Sequence, residues 1–280
     1  MILVNGATGQ LGQGIIRELL KSIAAKEIRA YVRNEEKAAF LKDLGVELAV
    51  GDYNNKAAIA QAMQGVDTLM LISGGDPNRL EQHKNFVDAA KDAGVKRVLY
   101  TGVSMKSVED AALKGMMSDH FETEKHIMAA NFESAASLRN TLYLDVLKDF
   151  FLGPQPQGVY LPIKSGAVPF VLRSELAQVA AKLLLADKLE KKYYELHHPE
   201  ALSFAEIAKQ LDVPFVSLTE ADYLAQLNKM GLPEPVQQML LGFCQDMEAG
   251  QFIVDTPSDL TTILGKAPSS HAEGLKELFA

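Results

Sequence analysis

Short apolar runs alternate with longer stretches whose apolar residues recur every three or four positions, and this alternation fills the first half of the chain. Runs of that length suit strands buried on both faces of a parallel sheet, and the longer period suits helices with one apolar face. The pattern predicts strands at Met1–Asn5, Ile28–Arg33, Val46–Gly51, Thr68–Ser73, Arg97–Thr101 and Ser134–Arg139. Helices are predicted between them at Leu11–Ser22, Glu35–Leu44, Lys56–Met63, Asn78–Ala93 and Ser118–Ala130. Strand and helix in strict alternation predict an α/β fold, a Rossmann-like doubly wound parallel sheet.

The rhythm breaks at Leu152-Gly153-Pro154-Gln155-Pro156-Gln157-Gly158, a stretch dense in turn residues. Beyond it come the apolar runs Val159–Ile163 and Gly166–Val171, and strand-like Tyr193–His197 and Val213–Leu218. Helical stretches lie at Ser174–Leu185, Phe204–Leu211, Ala221–Met230, Pro235–Glu248 and His271–Phe279. The expected division is a dinucleotide-binding domain over 1–152 and a smaller α+β substrate-side domain over 153–280. Part of 165–200 is left free to return to the main sheet.

Composition narrows the function classes. A formal net charge of -8 and a pI near 5.3 work against delocalised binding to nucleic acid or to an anionic membrane surface. Cys244 is the only cysteine, which rules out an intramolecular disulfide and a cysteine-based metal cage. His120, Glu124 and His126 share a helix without metal-ligand spacing, and His197-His198 are expected to point to opposite faces of a strand, so no metal is expected. Neither Ser73 nor Ser104 sits in a Gly-x-Ser-x-Gly elbow, so hydrolase chemistry has no support. The first strand begins at Met1, and no run approaches the length of a membrane span; the expectation is a cytoplasmic protein, monomer or homodimer.

The candidate chemistry begins behind the first strand. Gly6-Ala7-Thr8-Gly9-Gln10-Leu11-Gly12 sets three glycines three residues apart at a strand-to-helix turn. Such a turn lets the backbone approach a pyrophosphate, while the helix start offers unpaired N–H groups and a positive dipole end. Arg33, where the second strand ends, suits the 2′-phosphate of NADP(H), or else it is a solvated arginine beside Glu35 and Glu36. Asp52 and Tyr53 follow the third strand, where a carboxylate can accept from an adenine amino group; turn capping is the competing role for Asp52. Ser73 and Gly74 follow the fourth strand and fit a close approach to ribose and pyrophosphate, or a plain loop.

Together with Val32-Arg33-Asn34, Gly51-Asp52-Tyr53, Tyr100-Thr101-Gly102-Val103, Glu122-Thr123-Glu124-Lys125 and Leu138-Arg139-Asn140-Thr141-Leu142-Tyr143, this glycine turn resembles the NmrA-like branch of atypical short-chain reductases. The resemblance spans nearly the whole chain, to Leu264-Gly265-Lys266-Ala267-Pro268. It implies an NADP(H)-binding domain, a small carboxyl-terminal substrate domain and a cleft between them. It also places Thr101, Gly102, Val103, Asn140, Thr141 and Leu142 at the nicotinamide end. Two departures stand out: Asn5 where such chains usually carry Thr, and Thr141-Leu142 where the quinone-reducing members carry Gly-Trp.

Short-chain reductases use Tyr-x-x-x-Lys, in which the lysine lowers the tyrosine pKa for proton exchange with the substrate oxygen. The matching stretch here is Phe121-Glu122-Thr123-Glu124-Lys125, and phenylalanine has no proton to give. Lys125 has the spacing to reach the nicotinamide ribose, against its alternative as an ion-pairing surface residue, and Tyr143 is the candidate hydroxyl near the acceptor. A quinone or similar flat aromatic acceptor takes hydride into an electron-poor system and needs little acid help, so an NADPH-dependent reductase of such acceptors is the leading expectation. A non-catalytic NADP(H) sensor is the alternative.

Overall fold

The computed structural model describes residues 1–280. Seven parallel strands form the central sheet in the order β3-β2-β1-β4-β5-β6-β9. They are β1 (Ile2–Val4), β2 (Ile28–Val32), β3 (Glu47–Val50), β4 (Thr68–Leu71), β5 (Arg97–Val103), β6 (Ser134–Asn140) and β9 (Tyr193–Leu196). Ile2 stands opposite both Ile28 and Thr68, so the strand order reverses direction at β1. That reversal opens the crevice where ligands bind at the carboxyl edge of such sheets.

One sheet face is covered by α1 (Gln10–Leu19), α6 (Arg173–Leu185) and α10 (Leu260–Leu264), with a core built on Val4, Ile15, Met70, Leu99 and Leu176. The other face packs α3 (Lys56–Ala62), α4 (Arg79–Asp92) and α5 (Lys114–Ala129) over Leu3, Leu69, Phe86 and Tyr100. Helix α2 (Ala39–Asp43) flanks the β3 edge. Burial on both faces explains why the strands read as continuous apolar runs.

A third core lies beyond the carboxyl edge. It joins β7 (Val159–Leu161), which pairs in parallel with β11 (Phe215–Ser217), to α7 (Phe204–Gln210), α8 (Glu220–Lys229), α9 (Glu234–Glu248) and α11 (His271–Phe279). Asp246 of α9 accepts from the backbone N–H groups of Ala112, at 2.6 Å, and Leu113, at 3.2 Å, and so ties this core to the approach of α5.

Several local expectations change. Tyr143 bridges to Val171, Leu144 N–H donates to Val171 O at 2.9 Å, and a π-helical turn then forms over Leu147–Phe151. Asp145 is held by Arg173 N–H at 2.9 Å, so tertiary pairing takes residues whose spacing alone suited a helix. Within Gly166–Val171, β8 (Ala167–Val168) pairs with β10 (Leu202–Ser203) and Val171 bridges to Tyr143, while Pro169 between them has no N–H to continue the ladder. His197 and His198 lie just past β9 rather than within it. The unforeseen α10 is five residues long, too short for periodicity to reveal, and ends on Gly265 at φ 72°.

Candidate active site

The glycine turn is shaped by space that only glycine leaves. Gly6 has φ +58°, and a Cβ on Gly12 would sit 2.4 Å from the Gly6 carbonyl oxygen and 2.9 Å from Ala7 Cα. Helix α1 therefore starts hard against β1, with Ala7 and Leu11 buried beneath it. Gly9 is its N-cap and supplies no side-chain bond. Gln13 N–H reaches Gly9 O, and the Gln13 side chain donates to Thr8 O at 2.8 Å, but the first N–H groups of the helix, from Gln10 onward, lack a side-chain acceptor. Donors in that arrangement fit a pyrophosphate. Asn5 bonds both ways to the Ile72 backbone, accepting its N–H at 2.5 Å and donating to its carbonyl at 3.2 Å. The departure at Asn5 thus stitches the ends of β1 and β4 together below the crevice.

Past the carboxyl end of β3, Tyr53 accepts the Gly6 N–H at 2.7 Å, and its ring stacks edge-on against Phe86. Burial raises the Tyr53 pKa, so the phenol keeps its proton. The Arg33 guanidinium lies 5.5 Å over the Tyr53 ring on the exposed rim, while its neighbour Glu35 pairs with Lys42 instead. Asp52 caps its own turn: one oxygen accepts the Asn54 N–H at 2.8 Å and the Asn54 amide at 2.9 Å, which holds the carboxyl below its ordinary range. Its second oxygen takes no part in those bonds. Gly51 is required because a Cβ there would meet the Tyr31 hydroxyl at 2.2 Å.

Ser73, Thr101, Asn140 and Thr141 gather at the carboxyl ends of β4, β5 and β6. Ser73 N–H donates to Thr101 Oγ1 at 2.8 Å, joining two of the loops. Ser73 Oγ, Asn140 Oδ1 and Thr141 Oγ1 are buried without a partner, and such groups are costly unless a ligand satisfies them. The orphaned acceptors beside the glycine turn fit a carboxamide-bearing dinucleotide. Tyr143 OH accepts from the Asn140 amide at 3.2 Å, and burial pushes its pKa up, leaving a protonated phenol. Gly74 begins the loop beyond Ser73, and Leu142 forms part of the cavity described below. Val103 packs into the third core, and the bare face of Gly102 looks toward Ser137 Oγ and Glu124, which a Cβ would approach within 2.4 and 2.8 Å. Glycine at 102 therefore serves the seating of α5.

Helix α5 turns Lys125 outward and leaves Phe121, at the tyrosine position, half-buried against the third core. Lys125 is not among the gathered residues: its ammonium pairs with Glu122 at 2.7 Å and its side chain is 72% exposed. Phe121 lies 5.7 Å from the Arg139 guanidinium. The residues facing the sheet are instead His120, Thr123 and Glu124. His120 Nδ1 meets the Tyr100 hydroxyl at 2.9 Å, and loss of water around the ring, with Arg79 and His83 nearby, keeps His120 neutral. His83 meets Thr123 Oγ1 at 2.8 Å, and burial brings its pKa down to about 3. The inward face of α5 thus combines the neutral His120 and the Thr123 hydroxyl with Glu124, which pairs with Arg139 of β6 at 2.7 Å.

Beside Leu142 a cavity of about 630 Å³ opens between the loop after β4, α5, the π-helical turn and α9. Its wall is mainly apolar, with Met116, Leu142, Val146, Phe151, Met239 and Phe243. The polar members Arg79 and Asp119 are paired with each other at 3.1 Å. Most of this wall escaped sequence reasoning, because it comes from four separated segments; the methionine-rich stretches at Met116 and Met239 were the one usable signal. No group of three or more His, Cys, Asp or Glu side chains is placed to hold a metal ion.

The NmrA-like family model matches residues 1–212. Quinone oxidoreductase 2 of Escherichia coli (strain K12) is 33% identical over 291 aligned residues, covering 100% of this chain and 99% of that protein. The crystal structure of Citrobacter sp. triphenylmethane reductase complexed with NADP(H) has a TM-score of 0.88 at 33% identity, over 99% of this chain and 100% of that one. The Escherichia coli NADPH-dependent quinone oxidoreductase complexed with NADPH also has a TM-score of 0.88, at 31% identity over the full length of both chains.

Proposed function

Since the chain belongs to the NmrA-like family, we propose that it is an NADPH-dependent reductase that passes hydride to a quinone or similar flat, electron-poor aromatic acceptor. The observation that carries this reading is the apolar cavity lined by Leu142, whose preceding residues Asn140 and Thr141 carry orphaned polar atoms that suit the cofactor. When bound, NADPH supplies the hydride. The glycine turn and the first N–H groups of α1 hold the pyrophosphate, and the unpaired Arg33 guanidinium takes the 2′-phosphate. Ser73, Thr101, Asn140 and Thr141, at the carboxyl ends of β4, β5 and β6, would hold the nicotinamide end of the cofactor. The cavity's apolar wall excludes water and holds the acceptor against it, so that proximity and orientation supply most of the acceleration.

Reduction of a quinone consumes one hydride and one proton. The protonated Tyr143 hydroxyl hydrogen-bonds the acceptor oxygen and passes on a proton that solvent replaces. Lys125 has no part in this scheme while it is bound to Glu122. The sensor alternative loses ground because the relatives over the full length are named reductases. A cytoplasmic place agrees with the single, free and buried Cys244, and no helix is long and apolar enough to cross a membrane.

The test is a panel of quinones and cationic and azo dyes with NADPH, followed by absorbance at the reduced-nicotinamide band. Acceptor-dependent oxidation of NADPH is expected, faster than with NADH. Tight NADPH binding with no oxidation across the panel would sink the enzyme reading.

A further inference from the structure

The π-helical turn over Leu147–Phe151 carries two adjacent phenylalanines with different fates. Phe151 is half-buried and packs on the third core, whereas Phe150 is 57% exposed although both line the cavity. An aromatic side chain left this open on a cavity wall forgoes burial that a ligand can restore. The turn is also held firmly from behind by its polar residues. Lys148 Nζ donates to Leu278 O at 2.5 Å, and Arg173 bridges Asp145 at 3.4 Å and Asp149 at 3.2 Å. Anchoring those neighbours fixes where Phe150 stands without using its ring. A π-turn is an uncommon conformation that frequently falls at functional sites.

The cavity has room beyond one six-membered ring: at about 630 Å³ it lies in the range that takes whole drug-sized ligands. Met116 and Met239 give its remaining wall adaptable, polarisable surface. We propose that Phe150 is a specificity-determining residue, stacking on the outer ring of a multi-ring acceptor whose reacting ring lies at the nicotinamide. The inference rests on the reductase reading and names the acceptor class within it, fused or linked aromatic rings over single rings. A single-ring acceptor reaches the nicotinamide without touching Phe150, so only the larger acceptor gains from the contact.

The test compares Phe150→Ala and Phe150→Trp with the unaltered protein, using a single-ring benzoquinone and a three-ring anthraquinone or triarylmethane acceptor. Phe150→Ala should raise KM for the three-ring acceptor roughly five- to tenfold while leaving kcat, and both constants for benzoquinone, within about twofold. Phe150→Trp should restore or lower the three-ring KM. Equal losses for both acceptors, or none for either, would overturn the inference while leaving the reductase reading intact. Failure of every acceptor with the unaltered protein would count against the reductase reading itself. Thermal unfolding checks that the variants fold; the ring's exposure predicts that both do.

Discussion

The two sides of the crevice recognise their ligands by opposite means. On the cofactor side the recognising atoms are mostly backbone, and space is so tight that one Cβ on Gly12 would strike three backbone atoms. On the acceptor side they are side chains, apolar and flexible, from four segments spread between Gly75 and Phe243. Backbone donors around a glycine turn leave no freedom for a ligand of another shape, whereas methionine and phenylalanine walls read flatness and bulk. A family built this way holds its cofactor while its acceptor changes.

The sharpest way to break that comparison is Gly12→Val. The added side chain meets backbone, which cannot swing aside, so NADPH affinity should fall more than about 100-fold by calorimetry while the circular dichroism of the sheet persists. Retained binding would mean that the turn yields as the acceptor side does. A smaller effect is expected from Arg33→Asp, which removes a charge-assisted contact and places a carboxylate near the 2′-phosphate. NADPH affinity should drop roughly 10- to 100-fold and NADH affinity less than about threefold, measured by fluorescence titration. Equal losses would deny Arg33 the 2′-phosphate role. The smallest effect is expected from Lys125→Met: kcat/KM should change by less than about twofold in steady-state assays, because the ammonium is exposed and tied to Glu122. A tenfold loss would instead return Lys125 to the nicotinamide ribose.

Legibility follows the same divide. The strands and helices of the first half could be located from periodicity alone, since each is a local run buried in a regular way. The glycine turn was visible because its spacing encodes a local backbone path. Arg33, Asp52 and Tyr53 were nameable because they directly follow strands, where a parallel sheet presents its edge. The strand-like bridge at Tyr143 was not legible, because its partner Val171 lies 28 positions on and leaves no local mark. Phe150, Arg79, Asp119 and Phe243 were invisible as site residues for the same reason: each looks like ordinary core or surface until distant elements meet.

The sequence by itself determined the doubly wound sheet and the turn that receives a dinucleotide, since both arise from short-range patterns of burial and backbone freedom. Only the tertiary structure decided which face of α5 meets the sheet, sending Lys125 outward and His120 and Glu124 inward. It alone also decided the shape of the acceptor cavity, because walls drawn from Gly75 to Phe243 exist only once the third core has packed against the edge of the sheet.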